Sequence, residues 1–158
     1  MNPFRYKISL RLRHPEMDPD EISNALGMQP QFRWMAGRPR RTPLGEPLEG
    51  TYDRSYWSCR CAEGSGFDLA DTLESLVEEL ERHKEFLAGF RATGGSVEYF
   101  VGWFTDGKNT GATFSWGLQR RLADLHVHLA LDVYGGSDSG TAGPGEDSLE
   151  PSSKIESG

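Results

Sequence analysis

Only two cysteines occur in the 158 residues, and they stand two positions apart at Cys59 and Cys61. A disulfide between them would close almost no loop, so the disulfide-framed secreted class is excluded and reduced thiols are expected. Long apolar runs are missing too. Nothing approaches the roughly 20 residues that cross a bilayer as a helix. The N-terminal "MNPFRYKISLRLRH" alternates instead of building the apolar centre of a signal peptide. A cytoplasmic protein without membrane association is the expectation. Positive charge is scarce, with 17 Lys and Arg against 24 Asp and Glu, a net of −7. General affinity for nucleic acid, which rests on neutralising phosphates, is therefore disfavoured.

The acidity is unevenly placed. Residues 135–158, "GGSDSGTAGPGEDSLEPSSKIESG", hold no aromatic residue and carry five acids against one lysine. Such a stretch does not offset its ordering entropy by burial and is expected to be a disordered tail. Subtracting its −4 from −7 leaves −3 for residues 1–134. With 36% hydrophobic residues, that length supports one core and one domain.

Phe4, Tyr6, Ile8, Leu10 and Leu12 alternate with charged or small residues, the period of a strand with one buried face. "MDPDEISNALG" then predicts a short helix, with Asp18 as N-cap, Pro19 first, Glu21 third and Gly27 after the last turn. A short strand is expected over 31–36, followed over 37–51 by a proline- and glycine-rich segment read as mainly loop. A further strand is expected at "SYWSCRC". The stripe Leu69, Leu73, Leu76, Val77, Leu80, Leu87 and Phe90 predicts one long helix from Phe67 to about Phe90, stopped by Gly94 and Gly95. "SVEYFVGWF" is apolar on both faces, as in a central strand. A third helix burying Leu118, Leu122 and Leu125 precedes a last strand, "VHLALDVY", with Val127, Leu129, Leu131 and Val133 inward. The order is β-α-β-β-α-β-α-β, an α+β single-domain sandwich with helices covering a mixed or antiparallel sheet.

Four blocks in this order resemble a bacterial family, domain of unknown function 4279 (DUF4279). They are "DPDEISNALGMQP" with Trp34 and Gly37 after it, the "YW" at 56 and 57, "YFVGWF", and the closing "LQRRLADLHVHLALDVY". The resemblance covers residues 4–134. It implies an α+β fold and a bacterial cytoplasmic setting, and it brings no assigned activity and no catalytic residues. Small families of this kind sometimes supply immunity proteins that block a toxin, an analogy of family type. Cys59, Cys61, His126 and His128 depart from the family pattern and are poor candidates for a shared function.

Several residue groups invite a chemical reading. Cys59-x-Cys61 and His126-x-His128 each place two ligands on one strand face, yet structural zinc sites draw on a different, turn-based spacing. Packing of small apolar thiols is preferred, and no metal or cofactor is expected. "GWFTDGK" (102–108) matches the phosphate-loop expression without the hydroxyl residue or the helix that the chemistry needs, so a turn is the better reading. His128, Asp132 and Tyr134 share a strand face suited to acid–base work, but no nucleophile motif accompanies them. Glu74, Glu78, Glu81 and Glu85 line one helix face, either solvated or offered to a basic partner, with Glu78–Arg82 as a supporting pair. Arg33, Arg38, Arg40 and Arg41 surround Trp34 in an otherwise acidic chain. Trp34 reads as a structural anchor, and with Trp57, Trp103 and Trp116 it is expected to hold helices to the sheet.

These weighings point to a non-catalytic binding module whose partner is another protein, with an immunity or inhibitor protein as the sharpest version. The candidate contacts are Trp34, Arg38, Arg40, Arg41, Glu78 and Glu81. The competing reading is a small-anion binder or enzyme using a pocket between the 37–51 loop and the sheet. A third is self-association through a sheet edge.

Overall fold

In the computed structural model, residues 3–136 are described; the expected tail lies outside them from residue 137 onward. Strand β1 (Arg5–His14) occupies the middle of a five-stranded sheet, flanked by β5 (Ser55–Ser65) and β6 (Ser96–Thr105). A three-residue strand, β2 (Phe32–Trp34), forms one edge and β7 (Val127–Gly135) the other. Every pairing is antiparallel except β6 with β7, which is parallel and therefore needs the crossover that helix α4 (Trp116–Asp124) supplies. The sheet is mixed, and the molecule is a single α+β domain.

Alternation in β1 sends Tyr6, Ile8, Leu10 and Leu12 to one face, with Phe4 just before them. All four helices dock on that face. Helix α1 (Pro19–Leu26) contributes Ile22 and Leu26, and α2 (Leu69–Glu81) contributes Leu69, Leu73, Val77 and Leu80. Helix α3 (Lys84–Ala92) adds Leu87 and Phe90, and α4 adds Leu118 and Leu122. Each such fully buried aliphatic side chain contributes about 1.5 to 3 kcal/mol, which is why one continuous cluster suffices for the domain.

The local signals of α1 are realised in full. The Asp18 side chain accepts from the Asp20 N–H, Pro19 opens the helix, and Gly27 closes it at φ 66°. The expected long helix is instead divided. A 3-10 turn (Gly66–Asp68) leads into α2, and α2 ends where the N–H groups of Arg82 and His83 donate to the carbonyls of Glu79 and Leu80. The two tight turns re-aim the chain so that Phe90 packs beside His14, with ring centroids 5.1 Å apart. No Gly or Pro marks the break, and Leu80 to Leu87 keeps a seven-residue spacing, so periodicity runs straight through it.

The 37–51 segment also departs from expectation. It holds a second sheet, β3 (Pro39–Arg41) against β4 (Pro47–Thr51). Thr42 and Glu46 close the hairpin: the Thr42 N–H donates to the Glu46 carbonyl, and the Glu46 N–H to Thr42 Oγ1. Gly45 takes φ 88° there, a conformation that side chains other than Gly resist. Prolines are tolerated because a two-stranded ribbon leaves half its N–H groups unpaired in any case.

His14 ends β1 and is buried. Its Nδ1 accepts from the N–H groups of Glu16 and Met17, at 3.0 and 2.8 Å, which places the proton on Nε2, 2.8 Å from Thr93 Oγ1. Burial lowers its pKa below the usual value, against smaller upward pulls from Glu16 and Glu21. A histidine depressed in the fold contributes stability that is complete above its unfolded pKa of about 6.5 and is lost as pH falls through the folded value. Urea midpoints at pH 7.5 and pH 5 should therefore differ more for the parent chain than for His14→Gln. An equal fall in both would remove His14 as the cause.

Candidate functional site

The face of the sheet opposite the helices carries the unusual chemistry. Registers across the strands place Trp34, Tyr56, Arg13 and Ser96 in one row, and Phe32, Ser58, Arg11, Glu98 and His128 in the next. Arg60, Ser9, Phe100 and Ala130 follow, then Glu63, Lys7, Gly102 and Asp132, then Ser65, Arg5, Phe104 and Tyr134. The outward residues of β1 thus form the centre line of a basic and aromatic surface.

These side chains lean on one another. The Arg11 guanidinium lies 3.6 Å from the Phe100 centroid, Arg13 lies 5.4 Å from Tyr56, and Lys7 lies 5.9 Å from Phe104. Stacking on an aromatic face gives a cation attraction without consuming its hydrogen-bond donors. Glu98 approaches both Arg11 and Arg13, at 3.8 and 3.7 Å, and holds the pair together. The Nε atoms of Arg11 and Arg60 are buried and have no hydrogen-bond partner among the described residues. Phe104 stacks on Tyr134, whose hydroxyl donates to Asp132.

The arginine hairpin joins this surface through aromatic contacts. Trp34 is half-buried and stacks on Tyr56 at 4.3 Å and on Tyr52 at 5.0 Å. The Tyr52 hydroxyl accepts from the Arg41 N–H and donates to the Arg41 carbonyl, while Tyr52 N–H donates to the Arg38 carbonyl. Trp34 is therefore an anchor, although for the hairpin and not for a helix. Arg38 and Arg41 are exposed, Arg40 is half-buried, and Arg41 also donates to the Gly45 carbonyl. Arg33 points the other way and pairs with Asp20 of α1. Of the remaining tryptophans, Trp57 and Trp103 lie in the core, but Trp116 is 79% exposed and holds nothing to the sheet.

Glu78 and Glu81 lie on α2, on the far side of the sheet from the arginines. Glu78 is exposed. Glu81 accepts from Arg121 Nε and raises the Arg121 pKa, so it braces α2 against α4. Glu74 accepts from Ser115 Oγ at the start of α4. Arg82 pairs with Glu79 at i,i+3, in place of the i,i+4 pair with Glu78. Part of the acidic stripe is thus structural.

The other chemical groups separate. Cys59 and Cys61 pack against the core, while His128 lies on the opposite face, and β1 and β6 stand between β5 and β7. Three strand spacings of about 4.8 Å keep the pairs apart. Burial pushes the Cys61 thiol up to about 12 and raises Cys59 as well, which leaves both protonated and poor nucleophiles at neutral pH. His126 precedes β7 in the left-handed region, at φ 54°, and does not share its face. His128 sits four residues from Asp132, about 13 Å along an extended strand. Residues 102–105 remain in β6 and the segment after them turns without a helix until Trp116. Two of the inward expectations for β7 also fail: Leu131 and Val133 are 46% and 58% exposed on the helix face, because Leu118 and Leu122 of α4 and Leu125 cover only its first residues.

Among the described residues no group of three or more His, Cys, Asp or Glu is placed to hold a metal, and no helix is long and apolar enough to cross a membrane. Residues 4–136 match a family model described as a domain of unknown function, DUF4279. No curated protein and no solved structure matches the chain significantly.

Proposed function

The chain belongs to the DUF4279 family, a membership that assigns no activity, and we propose that it is a non-catalytic module that binds an acidic partner protein through the helix-free face of its sheet. One observation carries this reading. An acidic chain concentrates Arg5, Lys7, Arg11, Arg13 and Arg60 on the single face that no helix covers, and interleaves them with Phe100, Phe104, Tyr56 and Trp34. Arginine and aromatic side chains are the residues that dominate protein interfaces, because both offer large contact area with directed polar or quadrupolar attraction. The exposed Arg38 and Arg41 extend the surface beyond the sheet edge and steer an acidic partner toward it.

Polyglutamate serves as a defined probe. Arg38→Glu with Arg41→Glu should weaken its binding by at least about tenfold at low salt while lowering the melting midpoint little, since both positions are exposed and, among the described residues, only the Arg41–Gly45 side-chain bond is lost. Glu78→Lys, on the opposite side, should leave binding within about twofold. Equal effects from the two would move the contact off the sheet. The sharpest form of the proposal is an immunity or inhibitor protein, tested by co-purification with the product of the neighbouring reading frame and by rescue of growth where that product is toxic.

A second reading rests on the Nε atoms of Arg11 and Arg60, unpartnered among the described residues, which suit a small carboxylate or phosphate ligand. It is distinguished by ligand-dependent thermal stabilisation that Arg60→Gln abolishes.

A further inference from the structure

Strand β7 has β6 on one side and, among the described residues, no strand on the other. Its segment from Val127 to Val133, "VHLALDV", reads the same in both directions apart from the exchange of His128 with Asp132. We propose that two copies of this chain pair antiparallel through β7 about a twofold axis at Ala130, joining their five-stranded sheets into one. That register sets Val127 opposite Val133, Leu129 opposite Leu131, His128 opposite Asp132, and Ala130 opposite itself.

Each pairing is matched in kind. On the helix face, the exposed Leu131 and Val133 gain apolar neighbours where α4 leaves them uncovered. On the open face, the acid of one strand meets the imidazole of the other. Directly opposed pairs are the units of sheet stabilisation, and a twofold axis uses each favourable pair twice. A strand selected to meet an unrelated partner has no reason to be self-complementary. The edge carries no guard in its own residues: β7 offers nine with neither Lys nor Pro, whereas the opposite edge, β2, is only three residues long. Sheet edges that stay solvated normally carry such guards. The pairing would also align two basic and aromatic faces side by side, which lets one extended partner engage both.

Sedimentation of the full chain at concentrations from about 1 to 100 µM should show a reversible monomer–dimer equilibrium. Leu131→Lys, an exposed position that the monomer tolerates, should weaken the dimer at least about tenfold while leaving the monomer's far-UV spectrum unchanged. His128→Asp should weaken it by setting acid against acid, and adding Asp132→His in the same chain should restore it. A parent chain that stays monomeric at about 100 µM overturns the proposal. So does a dimer indifferent to both Leu131→Lys and His128→Asp, which would place the contact elsewhere. Protection, in the monomer, of the β7 amides that point away from β6 would overturn it as well, in favour of cover by another segment of the same chain.

Discussion

Trp57→Ala is expected to cost about 3 to 5 kcal/mol, a large share of the roughly 5 to 15 kcal/mol that holds a domain folded. Trp57 is fully buried on the helix face of β5, opposite Leu12, and its Nε1 donates to Ser23 Oγ of α1 at 2.9 Å. Truncation removes the largest fully buried side chain and leaves a cavity where α1 meets the sheet. The Ser23 hydroxyl is half-buried and still reaches water, so the volume term dominates over the lost hydrogen bond. Trp57→Phe, which keeps most of the ring and loses the donor, should therefore fall well short of the alanine cost. Urea titration checks both, with an unchanged slope expected if the denatured state is unaffected. A loss below about 1 kcal/mol for the alanine variant would mean that α1 is held by other contacts.

Gly95→Ala should cost about 2 to 3 kcal/mol through the opposite physics, overpacking. The helix α3 ends in a Schellman turn, with Gly94 at φ 102° and the Gly95 N–H donating to the Phe90 carbonyl at 2.9 Å. A methyl group at Gly95 would meet the Phe90 ring at 2.4 Å and the Phe90 carbonyl oxygen at 2.7 Å. Phe90 is fully buried, so its ring has nowhere to yield, and the carbonyl belongs to the helix cap itself. Because β6 begins at the next residue, the displacement would pass directly into the sheet. Gly94→Ala strains the backbone by φ and brings its methyl group to 3.0 Å from Pro15 Cγ, a looser approach than that at Gly95, and should be milder. If Gly95→Ala matches the parent midpoint, the close approach is not a constraint.

Both positions are legible in the sequence, but to different depths. The paired glycines announced a helix stop, whereas the reason Gly95 tolerates no methyl group lies in where the Phe90 ring settles. The same division runs through the candidate site. Trp34 and Gly37 stood out by spacing, and Arg38, Arg40 and Arg41 by contrast with an acidic chain. The cations that share their surface, Arg11, Arg13 and Arg60, were indistinguishable from ordinary outward residues. Nothing in an alternating pattern says whether the polar face of a strand meets water freely or forms a row with aromatic neighbours from other strands. Trp34 anchors the hairpin and not a helix, because residue type shows that a tryptophan wants cover and not which element supplies it.

Local rules were sufficient wherever a signal acts within a few residues. Alternation in β1, the Asp18–Pro19–Gly27 caps of α1, and the Leu118–Leu122 spacing of α4 each specify an element through contacts the chain makes with its own near neighbours. Assembly settled the rest. The break after α2 carries no Gly or Pro and lets Phe90 pack beside His14, a contact between segments more than seventy residues apart. Leu131 and Val133 follow the inward pattern yet stand exposed, since α4 covers only the start of β7. The open face owes its existence to all four helices docking on one side, a choice made by the summed burial of the core and by no single stretch of sequence.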